Sequence, residues 1–231
     1  MIKAVLFDLD NTLNHREKTI QKYAKLFLDD FQQSLVSGLE LQEVADKIAF
    51  CDEGGYSGRS LRCERLLGLD IWLRKPTPEQ LLEHWLNWVP KNPSAMPALE
   101  QTLVTLKKMG LALGIITNGS LFSQKSKIDR LGISGYFVQI SISGEMGISK
   151  PDPLIFKETL KAMSMVPEET IFVGDHPIND IQGALDAKMI PVWFKGFHLW
   201  PDSMNQPQYV INELSEITEV VLRLNNETKL I

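Results

Sequence analysis

The rhythm of apolar and polar positions changes twice along this chain. Ile2 to Leu9 is almost continuously apolar, with Ala4-Val5-Leu6-Phe7 at its middle. A short unbroken apolar run predicts a strand buried on both faces, as in a parallel sheet. From Glu17 the residues Ile20, Tyr23, Ala24, Phe27, Leu28, Phe31 and Leu35 recur at steps of three and four, which predicts one long amphipathic helix. Further helices are predicted over 39–50, 60–67 and 77–89. The last of these has Thr77 as its cap and Pro78 at its first position, where the missing N–H costs nothing. Asp52 to Gly58 contains three glycines and reads as a loop, and Pro90, Pro93 and Pro97 read as a linker.

Beyond the linker, helix and strand alternate. Helices are predicted over 98–109, 121–131, 153–163, 178–187 and 214–224, and strands over 111–116, 136–142, 170–173, 190–194 and 209–211. Such alternation predicts an α/β fold, a parallel sheet with helices on both faces. The core therefore comprises residues 1–13 and 96–231, interrupted by an all-helical insert over 14–95.

Composition narrows the partners. The 231 residues are 44% hydrophobic and 23% charged with a net charge of −5, so the chain has apolar surface for a core and no basic face for nucleic acid or an anionic membrane. No stretch nears the roughly 20 apolar residues that span a bilayer, and the short N-terminal apolar run meets acids too soon for a secretory signal. Cys51 and Cys63 lack metal-binding spacing and read as free buried thiols. A cytoplasmic monomer or homodimer is expected.

Polar groups follow directly on the apolar strands at three places: Asp8 and Asp10, Thr117 and Asn118, and Asp175 with Asp180. Lys150 lies in the loop Ser149-Lys150-Pro151-Asp152-Pro153. In an open parallel sheet these loops share the edge where ligands bind. Four carboxylates on one edge repel unless a cation lies among them, and oxygen ligands with a phosphate suit magnesium. Lys150 can bridge carboxylate and phosphate, while Thr117 and the amides of Asn118 and Gly119 can hold a phosphoryl oxygen. Together these groups predict phosphoryl transfer.

Four segments resemble, in order, the motifs of the haloacid dehalogenase-like superfamily. They are Phe7-Asp8-Leu9-Asp10-Asn11-Thr12-Leu13, Ile116-Thr117-Asn118-Gly119, Lys150-Pro151-Asp152-Pro153, and Val173-Gly174-Asp175 with Asn179-Asp180. The resemblance covers the core and implies a Rossmann-like catalytic domain, with the helical insert where that family's type-1 cap lies and hinges near 13–16 and 92–97. It implies that Asp8 is the nucleophile, that Asp10 protonates the leaving oxygen and then activates water, and that Thr117 holds the phosphoryl group. Lys150 then neutralises charge, and magnesium sits on Asp8, Asp175, the Asp10 carbonyl and, directly or through water, Asp180. The expected function is hydrolysis of a small phosphorylated metabolite, a sugar phosphate or nucleoside monophosphate, through an aspartyl-phosphate. A phosphomutase, a non-catalytic binding protein and a dehalogenase are the alternatives; an acid at Asp10 favours phosphate over halide, which leaves without a proton.

Plainer readings stand beside these. Thr117 can simply cap a helix, Asp180 can simply favour a helix N-terminus, and His176 can be without a role. Trp72, Trp85 and Trp88 read as packing in the insert, and Met163 and Met165 as core filler. In the Gly54-Gly55-Tyr56-Ser57-Gly58-Arg59 segment, Tyr56 and Arg59 are candidate substrate contacts, with a mobile turn as the alternative.

Overall fold

The computed structural model describes residues 1–227. The chain divides into two compact units, Met1–Asn14 together with the chain from Ala95 on, and His15–Ser94. It opens with strand β1 (Ala4–Phe7) and then enters the helical unit, α1 (Arg16–Asp30), α2 (Leu41–Asp52), α3 (Arg59–Gly68) and α4 (Pro78–Trp88). The core resumes with α5 (Leu99–Lys108), β2 (Ala112–Thr117), α6 (Leu121–Leu131), β3 (Gln139–Ile142), the single turn α7 (Ser143–Met146) and α8 (Pro153–Ala162). It continues through β4 (Thr170–Gly174), a wide π turn (Pro177–Gln182) leading into α9 (Gly183–Asp186), β5 (Ile190–Phe194), β6 (Tyr209–Ile211) and α10 (Ile217–Glu227). None of the described helices is long and apolar enough to cross a membrane.

Among the described residues six strands form one sheet in the order β3-β2-β1-β4-β5-β6, every pair parallel. The unbroken apolar run of β1 has a direct cause, since alternate side chains feed two different cores. Val5 and Phe7 join Leu113, Ile115, Ile171 and Val173 on one face, while Ala4 and Leu6 join Ile116, Phe156, Phe172 and Met163 on the other. With both faces covered, no position on the strand is left to be polar. Register matters most at the carboxyl ends: Phe7 lies opposite Ile115 of β2 and Val173 of β4. The residues that follow these three strands therefore emerge side by side.

The helical unit has its own apolar centre, including Ile20, Tyr23, Phe27, Val44, Ile48, Leu66, Leu81 and Trp85. Tyr23 is fully buried, packs edge-on to Trp85 at 5.0 Å between ring centroids, and has its hydroxyl 2.8 Å from Nδ1 of His84. Trp72 donates its indole N–H to the carbonyl of Leu66, and Trp88 packs against Tyr23. The tryptophans thus serve packing, as their amphipathic rings allow. Met163 and Met165 pack in the core unit, and both cysteines are free.

Several boundaries differ from expectation. The first helix stops at Asp30, although Leu35 continues its apolar period. Leu35 bridges Trp72, and Val36 N–H donates to Ile71 O, so strand-like pairing overrides the helical pattern. The next helix begins two residues later than predicted and runs on to Asp52. Asp52 is no loop residue: it is fully buried and accepts a two-pronged hydrogen bond from Arg16, both at 2.8 Å. A second guanidinium, Arg62, reaches Asp52 Oδ1 at 3.4 Å and lies 4.1 Å from the Trp85 ring centre. The glycine segment that follows is a hydrogen-bonded turn, Tyr56 N–H to Glu53 O and Ser57 N–H to Asp52 O. In it Gly54 and Gly55 take φ of 66° and 98°. The strand predicted from 136 begins at Gln139, after a tight turn over Ser134–Tyr136, and the strand predicted over 2–9 is only Ala4–Phe7.

Asp52→Ala leaves two buried guanidiniums without their carboxylate. Breaking a buried pair in this way costs about 3–5 kcal/mol, so urea denaturation is expected to give a correspondingly lower unfolding midpoint for the helical unit.

Candidate active site

Asp8 is the first residue after β1 and Asp175 the first after β4. Because these strands are parallel neighbours, the two carboxyls lie together, 3% and 0% exposed. Asp180 enters from the π turn, also fully buried. One carboxylate oxygen from each of Asp8, Asp175 and Asp180 lies within 4.8 Å of the others. Lys150 is buried among them, its Nζ 2.5 Å from Asp8 Oδ1 and 2.6 Å from Asp180 Oδ1.

The loop carrying Lys150 is held by Asn118. Asn118 Nδ2 donates to Lys150 O at 2.8 Å, and Lys150 N–H donates to Asn118 Oδ1 at 2.9 Å. The Asn118 side chain thus fixes the backbone of the lysine. Asp180 is anchored by its second oxygen, which accepts from His176 N–H at 2.9 Å. Its approach requires glycine at 174, where an added Cβ would fall 2.4 Å from the Asp180 carboxyl. His176 acts as a cap, with Nδ1 accepting from Ile178 and Asn179 N–H at 3.1 Å each. The expected plain helix over 178–187 is therefore a π turn continued by α9, and widened turns of this kind recur at functional sites.

Thr117 ends β2 and is not a helix cap; Ser120 caps α6. The Thr117 hydroxyl instead accepts from Gln124 Nε2 at 2.6 Å. Gly119 N–H donates to Ser143 Oγ at 3.0 Å. Tyr56 is half-buried and Arg59 exposed, both in the helical unit.

Three residues around Asp10 carry no signal in the sequence motifs. Asn14 Nδ2 donates to Asp10 Oδ1 at 2.7 Å, and Gln124 Nε2 and Lys127 Nζ reach Asp10 Oδ2 at 3.2 and 2.5 Å. Gln124 and Lys127 are buried polar residues three apart on α6, on one helix face. That spacing was readable, but nothing local says which side of α6 faces the sheet edge.

Electrostatics follow from burial. Burial pushes the Asp8 carboxyl up to about 7 from its ordinary 3.8, with Lys150 pulling it back and Asp180 adding to the rise. Asp175 is raised well above the usual carboxylate range by burial, then by Asp180 and Asp8. Burial opposes the Lys150 ammonium, yet Asp180 and Asp8 outweigh it and raise its value above the ordinary lysine range. Three carboxyls facing one lysine leave the cluster short of positive charge. An all-carboxylate oxygen set of this kind fits a hard divalent ion such as magnesium.

The profile of the haloacid dehalogenase-like hydrolases matches residues 5–193. The glyceraldehyde 3-phosphate phosphatase of Methanocaldococcus jannaschii is 31% identical over 98% of this chain and 100% of its own. That of Pyrococcus furiosus is 42% identical over 58% of this chain and 57% of its own. Among solved structures, the putative HAD-hydrolase YfnB of Bacillus subtilis matches with a TM-score of 0.75 at 20% identity, over 96% of this chain and 99% of its own.

Two predictions arise from the cluster. A carboxyl whose folded value lies above its unfolded one stabilises the fold most when protonated. For Asp8 that contribution is complete below about 4 and is lost as pH rises through about 7. In chelator, the melting temperature should therefore fall between about pH 5 and pH 8, and magnesium should raise it more at the higher pH, where the carboxylates are free of protons. Differential scanning fluorimetry reads both effects. Gly174→Ala should displace Asp180, lowering the melting temperature and reducing the shift caused by magnesium.

Proposed function

Because this chain belongs to the haloacid dehalogenase-like hydrolase family and is a phosphatase of it, we infer that it hydrolyses a small phosphorylated metabolite through an aspartyl-phosphate at Asp8, with magnesium. The observation that carries this reading is Lys150, buried between Asp8 and Asp180 beside Asp175 where β1 and β4 end. The names of the relatives favour a sugar phosphate, with a triose phosphate the first to try. Nucleoside monophosphates remain in the substrate class, since Escherichia coli pyrimidine 5'-nucleotidase YjjG is 26% identical over 95% of this chain.

The chemistry divides among the chain's own residues. An Asp8 oxygen forms a bond to phosphorus as the bond to the leaving oxygen breaks, and Asp10 delivers the proton that oxygen needs. Lys150, fixed by Asn118, offsets negative charge on Asp8 and the phosphoryl oxygens. Thr117 presents its hydroxyl to the phosphoryl group. In the second half a water oxygen attacks phosphorus, the bond to Asp8 breaks, and Asp10 takes the water's proton. Asp8, Asp175, Asp180 and the Asp10 carbonyl would hold magnesium, which when bound supplies charge neutralisation at the transferring phosphoryl group.

Asp8→Asn removes the nucleophile while keeping the side chain's shape. Phosphate release from glyceraldehyde 3-phosphate, phosphoserine and p-nitrophenyl phosphate, measured with magnesium and then with chelator, should be lost in this variant, with its circular dichroism unchanged. Turnover near that of the unaltered protein would contradict an aspartyl-phosphate at Asp8.

A further inference from the structure

We propose that Lys127, together with Gln124, is a positioning residue for Asp10, and that the pair fixes the direction of its carboxylate for hydrolysis of the phosphorylated enzyme; this rests on the phosphatase reading above. Lys127 is 3% exposed and Gln124 2%. Burying an ammonium and a primary amide is costly unless both are well paired. Lys127 Nζ lies 2.5 Å from Asp10 Oδ2 and 2.8 Å from Gln124 Oε1. Gln124 in turn donates to Asp10 Oδ2 and to the Thr117 hydroxyl. Asn14 holds the other Asp10 oxygen at 2.7 Å. Both oxygens of Asp10 are thus fixed, and one amide ties Asp10 to Thr117 at a set spacing.

The backbone accommodates this arrangement. Gly119 takes φ 141°, and a Cβ there would fall 2.9 Å from Gln124 Cδ. Glycine at 119 leaves room for the amide that spans the two groups. Each aspartate of Asp8-Leu9-Asp10 also has its own buried lysine, Lys150 for Asp8 and Lys127 for Asp10. Apolar side chains at 124 and 127 would fill the same space under α6 without desolvating charge. The geometry therefore points to control of Asp10.

In the second half-reaction the water oxygen bonds to phosphorus, the phosphorus–Asp8 bond breaks, and the water's proton passes to an Asp10 oxygen. That step depends on where the oxygen points, and small misplacements lose large factors. p-Nitrophenyl phosphate separates the two halves, because p-nitrophenolate leaves without a proton whereas the phosphorylated enzyme still requires Asp10. Lys127→Met should lower kcat about 10–100-fold and lower KM with it, leaving kcat/KM within about twofold, because only hydrolysis of the phosphorylated enzyme is slowed. It should also show a rapid p-nitrophenol burst of about one per enzyme, followed by slow turnover, as expected when covalent-intermediate hydrolysis limits. Lys127→Arg, which keeps the charge, should recover part of the rate. In an Asp10→Asn background, Lys127→Met should cost little more, since residues acting through one group are not additive.

Normal kcat in Lys127→Met would overturn the proposal. So would an undiminished further loss in the Asp10→Asn background, the mark of a purely structural lysine. If Lys127→Met fails to fold, Gln124→Ala provides the deciding measurement: the same burst is expected there, and its absence would overturn the proposal. A wild-type protein that releases no phosphate would overturn both readings, whereas a competent wild type with an unaffected Lys127→Met would overturn this one alone.

Discussion

The bridge from Lys150 to Asp8 and Asp180 is the interaction on which the arrangement of this site depends. It joins the end of one strand, a loop reached after β3, and a turn that follows a second strand, all in the buried core. Without the ammonium, three buried carboxyls would face one another with the His198 imidazole, 3.3 Å from Asp175, beside them, an arrangement the interior eases by protonating the carboxyls or taking up a cation. The surroundings serve this contact: Asn118 clamps the lysine's backbone, His176 N–H holds Asp180, and Gly174 leaves space for the Asp180 carboxyl.

The sheet makes that bridge possible. In parallel strands paired in register, residues just past the strand ends lie adjacent, so Asp8 and Asp175 meet though 167 positions separate them in the numbering. Covering the sheet on both faces excludes water from the lower part of this edge, and the same burial raises the carboxyls. The apolar packing of the sheet and the raised carboxyls at its edge thus share one cause, the low polarizability of a two-sided core.

The helical unit solves a different problem, a small core of its own with a charged centre. Arg16, Asp52 and Arg62 replace part of the apolar packing, and Trp85 lies against one guanidinium. This cluster ties the start of α1 to the end of α2 and the middle of α3. It also explains why the glycine-rich turn between α2 and α3 is a defined one: Gly55 lies against the Arg16 guanidinium, where a Cβ would come within 3.4 Å.

The alternating pattern was enough to read a parallel α/β core, because apolar period is a local property; the polar strand ends led to the expectation of Asp8, Lys150 and Asp175 on one edge, and their side chains lie together there. Helix ends were less legible. Leu35 kept the helical period while its backbone paired with Trp72, and Asp52 looked like a loop acid while its charge was buried between two arginines. The spacing of Lys127 and Gln124 puts them on one face of α6, but a buried lysine and a solvated one look identical in sequence. Only the docking of that helix against the sheet edge, a long-range packing event, brought them to Asp10 and Thr117.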